Sequence, residues 1–243
     1  MKVIIEQPTY LSWLGYYGML QLADVFVFYD DVAFDRQSWQ QRNRIKSPMG
    51  EMAWLTVPIL RNFGQKINEV KINNNVEWRR KHWKTLEQAY GKAPYFKKYR
   101  DEVKDIYDRE WEYLCELDIH IIMKFAKIFG VRLPKIFKSS EFEGLEGHKT
   151  DRLLVLLNKI GATEYYSGVG TKAYIEVDKF KKNNIKLCWY EFQHPIYSQI
   201  RGKFVSHLSA IDAIFNLGEN TLQYIQQGIN NSLTEDCTCL PTK

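Results

Sequence analysis

The sequence predicts an α/β fold with a largely parallel central sheet. Three observations lead there. The first thirty residues give a strand, a turn, a glycine-containing helix and a second strand. From Pro134 onward, short β-rich runs again alternate with helical patterns. Between the two lies a helical block, residues 77–130, with no Gly-, Ser- or Pro-rich linker to set it apart.

Lys2–Glu6 is a β-rich run that Pro8 ends, so it reads as a strand and turn. Ser12 is placed to cap a helix from Trp13 to about Leu22. Val25–Tyr29 is apolar and too short for a helix, which makes it a buried strand. Such an opening forms a parallel pair through a right-handed crossover. Trp54–Ile59 and Ile67–Ile72 read as further strands, joined by a polar turn that carries Gly64. In the helical block Trp78, His82, Leu86 and Tyr90 stand four apart, on one helix face that Gly91 ends. Pro94 opens a second helix to about Asp108. Leu114, Leu117, Ile121, Phe125 and Ile128 mark a third, ended by Gly130. Pro134–Lys138 returns to strand, and Thr150 caps a helix over Asp151–Ile160. A strand at Glu164–Ser167, a short helix at Asp178–Asn184, a strand at Ile185–Phe192 and a helix at Ser206–Leu217 complete the pattern. The expectation is one domain over residues 1–243, with a helical insertion at 77–130 and a polar tail at 230–243.

A hydrophobic fraction of 45% is enough for a sizeable core, so the four cysteines are not needed as staples. The N-terminal residues lack the apolar stretch of a signal peptide, and no run approaches the length of a membrane span. Cytoplasmic residence is the resulting expectation. A net charge of +5, spread along the chain, falls short of a dedicated nucleic-acid domain and suits an anionic small molecule.

Ligands of open α/β sheets bind beyond the C-terminal strand ends. Four segments occupy such places. The first runs from Gln7 through Tyr10, Trp13 and Gly15 to Tyr16. Glycines within its helix signal close approach, either of a ligand or of the sheet. The second begins at Asp30-Asp31 and continues through Ser38, Trp39, Arg42, Asn43 and Lys46. Its paired carboxylates can hold hydrated Mg²⁺ or cap a turn. Arg42, Arg44 and Lys46 would share one face of an extended strand, suited to an anion or to protecting a sheet edge. The third, with Ser167, Gly168, Gly170, Lys172 and Tyr174, can form an anion nest or a plain turn. The fourth is Gln193-His194-Pro195, whose imidazole titrates near neutrality. Asp30 or His194 is the candidate acid–base group. Arg42, Lys46 and Lys172 are candidates for binding an anion, and Trp13 or Trp39 for stacking on a ring. There is no GxGxxG, P-loop, HxxxH or CxxC spacing, so no nicotinamide or zinc site is expected.

These segments together resemble the WbqC-like family. The matching stretches include Gln7-Pro8-x-Tyr10-Leu11-x-Trp13-x-Gly15-Tyr16, Ser38-Trp39-x-x-Arg42-Asn43-x-Ile45-Lys46, Trp54-Leu55-Thr56-Val57-Pro58, Ser167-Gly168-x-Gly170-x-x-Ala173-Tyr174 and Phe192-Gln193-His194-Pro195-x-Tyr197. The family often has His before Gln-Pro, and here the residue is Glu6. The resemblance implies a role in surface-polysaccharide or O-antigen biosynthesis. It points to an enzyme that transfers an acyl or aminoacyl group of the glycine type to an amino sugar, free or nucleotide-linked. The alternative is a non-catalytic sugar- or nucleotide-sugar-binding protein of the same pathway. The opening also looks like the start of nucleotidylyltransferase-like, Rossmann-like folds. Those carry HxGH where this chain has Trp13-Leu14-Gly15-Tyr16. ATP with Mg²⁺ is the cofactor this second resemblance implies, although both histidines that would meet the nucleotide phosphates are replaced.

Overall fold

The computed structural model describes residues 1–60 and 62–230. The chain opens with β1 (Lys2–Glu6), α1 (Leu14–Leu22) and β2 (Val25–Phe28). An antiparallel ribbon follows, β3 (Arg42–Lys46) with β4 (Met52–Thr56), then the two-residue pair β5 (Ile59–Leu60) and β6 (Lys71–Ile72). The helical block is α2 (Trp78–Tyr90), α3 (Phe96–Asp108) and α4 (Leu114–Phe129). Alternation resumes with β7 (Lys135–Lys138), α5 (Thr150–Ile160), β8 (Glu164–Gly168), α6 (Val177–Lys182) and β9 (Lys186–Tyr190). The last helices are α7 (Ile211–Leu217) and α8 (Thr221–Asn230).

Five strands form one parallel sheet in the order β7-β2-β1-β8-β9. Numbered among themselves, they run 3-2-1-4-5, the order of doubly wound sheets. The order reverses between β1 and β8, and that reversal places the candidate site. Alternating side chains cover both faces, as a parallel sheet requires. Val3, Ile5, Val25 and Val27 point toward α5 and α6, while Ile4, Phe26 and Phe28 point into a larger cluster. That cluster takes in α1 and the helical block through Leu86, Val103 and Phe125.

The expected elements are present, with different ends in several places. The run Ile67–Ile72 is not a continuous strand. Ile67–Glu69 winds into a 3₁₀ turn because the Glu69 carboxylate accepts the Lys66 amide (2.9 Å), leaving two residues for β6. Pro58 divides the expected Trp54–Ile59 strand into β4 and β5. Ser12 does not cap α1. Trp13 stands at the cap, and the Ser12 hydroxyl bonds the Thr9 carbonyl instead (3.0 Å). Thr150 likewise lies inside α5, its hydroxyl accepting the Glu176 amide (3.1 Å). The last predicted helix begins only at Ile211, and α8 follows where no helix was expected. Beyond Asn230, the polar tail lies outside the described residues.

Candidate functional site

The chain leaves β1 at Glu6 and turns sharply before α1. Leu11 takes a positive φ of 47°, costly for a branched side chain. The buried Asn43 amide, on β3, donates to the carbonyls of Tyr10 (3.1 Å) and Leu11 (2.9 Å) and holds this turn. The Tyr10 amide in turn donates to the Trp39 carbonyl (2.9 Å), tying the loop before β3 to the strand exit. At the start of α1 the Trp13 ring folds over Gly15, where a Cβ would stand 2.3 Å from the indole. At Gly18 a Cβ would lie 2.2 Å from the Tyr190 hydroxyl, which donates to the Gly15 carbonyl (3.0 Å). Packing within the protein therefore demands both glycines. Gly168 and Gly170 differ: a Cβ on either would meet nothing within 4 Å, and both border open space.

Two cavities of about 510 Å³ each open here, and Glu6 and Thr171 line both. The first is polar, bordered by Asp31, His148, Lys149 and Arg152. The second is more apolar, bordered by Trp13, Tyr16, Trp39 and Arg44. A third, of about 670 Å³, shares Trp13 and His207 with the second and adds Gln193 and His194.

Glu6 stands at the shared wall. Among the described residues its carboxylate accepts one hydrogen bond, from the Gln7 amide (3.3 Å), and forms no ion pair. Burial pushes its carboxyl up to about 7, against the smaller opposing pull of that amide. Asp31 shows the contrary balance. Burial would raise it, but hydrogen bonds from Ser139 (2.5 Å) and Arg152 (2.5 Å), with the guanidinium charge, hold it below the usual carboxylate range. Arg152 also donates to the Leu145 carbonyl (2.7 Å), while its Nε has no partner. His194 donates from Nδ1 to the Pro195 carbonyl (3.0 Å), which leaves Nε2 a bare acceptor. Burial, with a lesser push from His207, pulls this imidazole down to about 4, so it is neutral at physiological pH.

The structure gathers part of the set expected from sequence. Gln7, Asp31, Ser167 and Tyr174 border the first cavity. Trp13, Trp39, Asn43, Gly168 and Gly170 border the second, and Gln193 and His194 the third. Other expected residues point elsewhere. Tyr10 is fully buried, its hydroxyl between His82 Nδ1 (2.9 Å) and the Tyr107 hydroxyl (3.0 Å). Asp30 is buried and accepts the Ser140 amide (3.0 Å) and hydroxyl (2.7 Å), so it caps the turn after β7. Asp31 is engaged as well, by Ser139 and Arg152. Lys46 is buried and donates to the Lys203 carbonyl (2.7 Å) and to Gln199 (3.1 Å). Ser38 donates to the Asp35 carbonyl (2.7 Å) within its turn. Lys172 lies over Trp189 (5.3 Å) and Arg42 over Trp54 (4.4 Å), outside the cavity walls.

Sequence reasoning passed over Glu6, His148, Lys149, Arg152 and His207. Glu6 had a usable signal, as the last residue of a strand at a βα turn. Arg152 had none, since a charge in the first turn of a helix looks like any solvated face.

Fold and site together define a doubly wound α/β protein whose cavities meet at the reversal of strand order. The chain belongs to the WbqC-like protein family, whose family model matches residues 7–224. It is similar to "Uncharacterized protein Rv1507c" of Mycobacterium tuberculosis, with 31% identity over 229 residues, covering 93% of this chain and 97% of that protein. No solved structure matches the chain. Among the described residues no helix is long and apolar enough to cross a membrane.

Proposed function

We propose that this protein transfers an acyl or aminoacyl group of the glycine type to the amine of an amino sugar, within surface-polysaccharide or O-antigen biosynthesis. The pathway rests on the family, which is associated with polysaccharide biosynthesis. The chemistry rests on one observation: a buried carboxyl, pushed up to about 7 and without a cationic partner among the described residues, at the wall between a polar and an aromatic cavity. A general base works best when its pKa lies near the working pH.

In this reading the first cavity holds the anionic end of an activated acyl donor with a phosphate leaving group, against Lys149 and Arg152. The second holds the amino sugar, its apolar ring face on Trp13. An amino sugar is an ammonium ion at neutral pH and is not nucleophilic. The Glu6 carboxylate attracts it and accepts one proton. The freed nitrogen pair attacks the acyl carbonyl carbon, a C–N bond forms, and the bond to phosphate breaks with its electrons. The leaving anion stays with the cations of the first cavity, and nitrogen releases its second proton to solvent. Glu6 takes the role of base because Asp30 is saturated and His194 borders only the third cavity.

The test is incubation with activated acyl donors and amino sugars, read by mass spectrometry. Wild type should form an N-acyl sugar, with kcat/KM rising as pH passes 7 and then levelling. Glu6→Gln should slow turnover by roughly 10²–10⁴-fold. Sugar binding without turnover across a broad panel would instead mark a non-catalytic binding protein.

A further inference from the structure

At the outer mouth of the second cavity, the ribbon carries a cluster that the reaction above leaves unused. Register pairs Arg44 with Trp54 and Arg42 with Thr56, so the two arginines and Trp54 share one ribbon face. Trp39 joins them, its ring 5.5 Å from that of Trp54. The Arg42 guanidinium lies 4.4 Å from the Trp54 centroid, and that of Arg44 lies 5.2 Å from Trp39 and 5.8 Å from Trp54. Cation–π contacts of this kind stabilise a surface ribbon, and that role alone would explain stacked pairs. It does not explain two further features. Each of the two tryptophans is 47% exposed. Arg44 donates to the His207 carbonyl (3.2 Å), but both guanidinium Nε atoms are buried without a partner, and neither arginine forms an ion pair among the described residues. The cluster thus offers two accessible π surfaces beside two charges that no carboxylate among the described residues neutralises. Trp39 and Arg44 also line the cavity that Glu6 borders, whereas Trp54 and Arg42 lie outside it.

We propose that Trp39, Trp54, Arg42 and Arg44 form a platform for a nucleoside diphosphate, the carrier on which the sugar arrives. A nucleobase stacks on an indole whatever its hydrogen-bonding edge. Guanidinium groups match phosphate oxygens in bidentate geometry. With the base on the outer indole and the diphosphate against Arg44, a sugar on the terminal phosphate enters the cavity toward Trp13 and Glu6. Only the identity of that sugar rests on the acyl-transfer reading. The affinity of the platform for nucleotide does not.

Calorimetry and tryptophan fluorescence on the full chain, titrated with UDP and ADP, test this directly. Both should bind and quench, ADP more tightly because a purine presents the larger π face. Uridine and inorganic pyrophosphate, each carrying half of the recognised chemistry, should bind at least tenfold more weakly than UDP. Trp54→Ala and Arg42→Ala should each weaken UDP binding tenfold or more, and Trp54→Phe, which keeps a stacking ring, should recover most of the loss. Circular dichroism verifies folding of each variant. No nucleotide binding, or binding unchanged in folded Trp54→Ala and Arg42→Ala, overturns the platform. If nucleotides bind as expected but no acyl transfer occurs, the platform stands and the reaction fails. If acyl transfer to the free amino sugar proceeds and UDP neither binds nor competes, the reaction stands and the platform fails.

Discussion

The role proposed for Glu6 sets function against stability. Its carboxyl titrates at about 7 when folded, against 4.5 when unperturbed. Between those values the unfolded chain gives up the proton that the folded chain retains. Stability is therefore greatest below pH 4.5 as far as this group is concerned, declines as pH rises toward 7, and levels above it. Glu6→Gln removes the ionisation. The variant should be more stable than wild type by roughly 1–3 kcal/mol at pH 8, with the gap closing by about pH 4.5. Urea melts of both proteins across that range measure it. A gap that widens in acid would place the carboxyl in a different environment. The same substitution that stabilises the fold should slow turnover, as expected where a strained group serves function. From sequence, Glu6 was visible as a strand-end residue. The burial that raises its pKa, with no cation among the described residues to oppose it, depends on residues distant in the chain.

At the scale of elements, α1 is held by its glycines. Alanine in a helix interior is normally favoured over glycine by about 1 kcal/mol. At Gly18 that gain is outweighed, because a Cβ would come within 2.2 Å of the Tyr190 hydroxyl and disturb its bond to the Gly15 carbonyl. Gly18→Ala should cost roughly 1–3 kcal/mol in thermal or denaturant unfolding. In a Tyr190→Phe background the obstructing oxygen is gone, and the same substitution should cost less. A double-mutant cycle with no coupling would show that the contact does not restrain the helix. The 3.6-residue pattern announced α1, but the contact with β9 joins residues 172 positions apart (190 − 18). The ribbon is a similar case. Its alternating cations were read as one face; Arg42 and Arg44 share that face with Trp54, but Lys46 turns into the protein because the chain near Gln199 and Lys203 supplies acceptors.

Over the whole molecule, the helical block and one face of the sheet contribute to a single apolar cluster. Helices that share a core with a sheet have no separate reason to fold. The chain should therefore unfold in one cooperative step, with far-UV and near-UV circular dichroism and intrinsic fluorescence giving coincident transitions. An early, separate loss of helical signal would mean that residues 77–130 form an independent unit.

The sequence by itself determined the class of fold. Period-two and period-3.6 patterns are local, and they located the parallel strands and most helices. It also determined which strand ends would carry polar segments, since loops that follow apolar strands stand out in composition. Tertiary structure alone decided which of those polar residues face a cavity. Asp30, Lys46 and Tyr10 have the right chemistry in the right segments, but Ser140, Lys203 and His82 satisfy them inside the protein. Glu6, with no such partner, is left with its proton affinity raised at the junction of two cavities. Burial and hydrogen-bond satisfaction depend on groups that meet only when the chain is folded, and no local pattern encodes them.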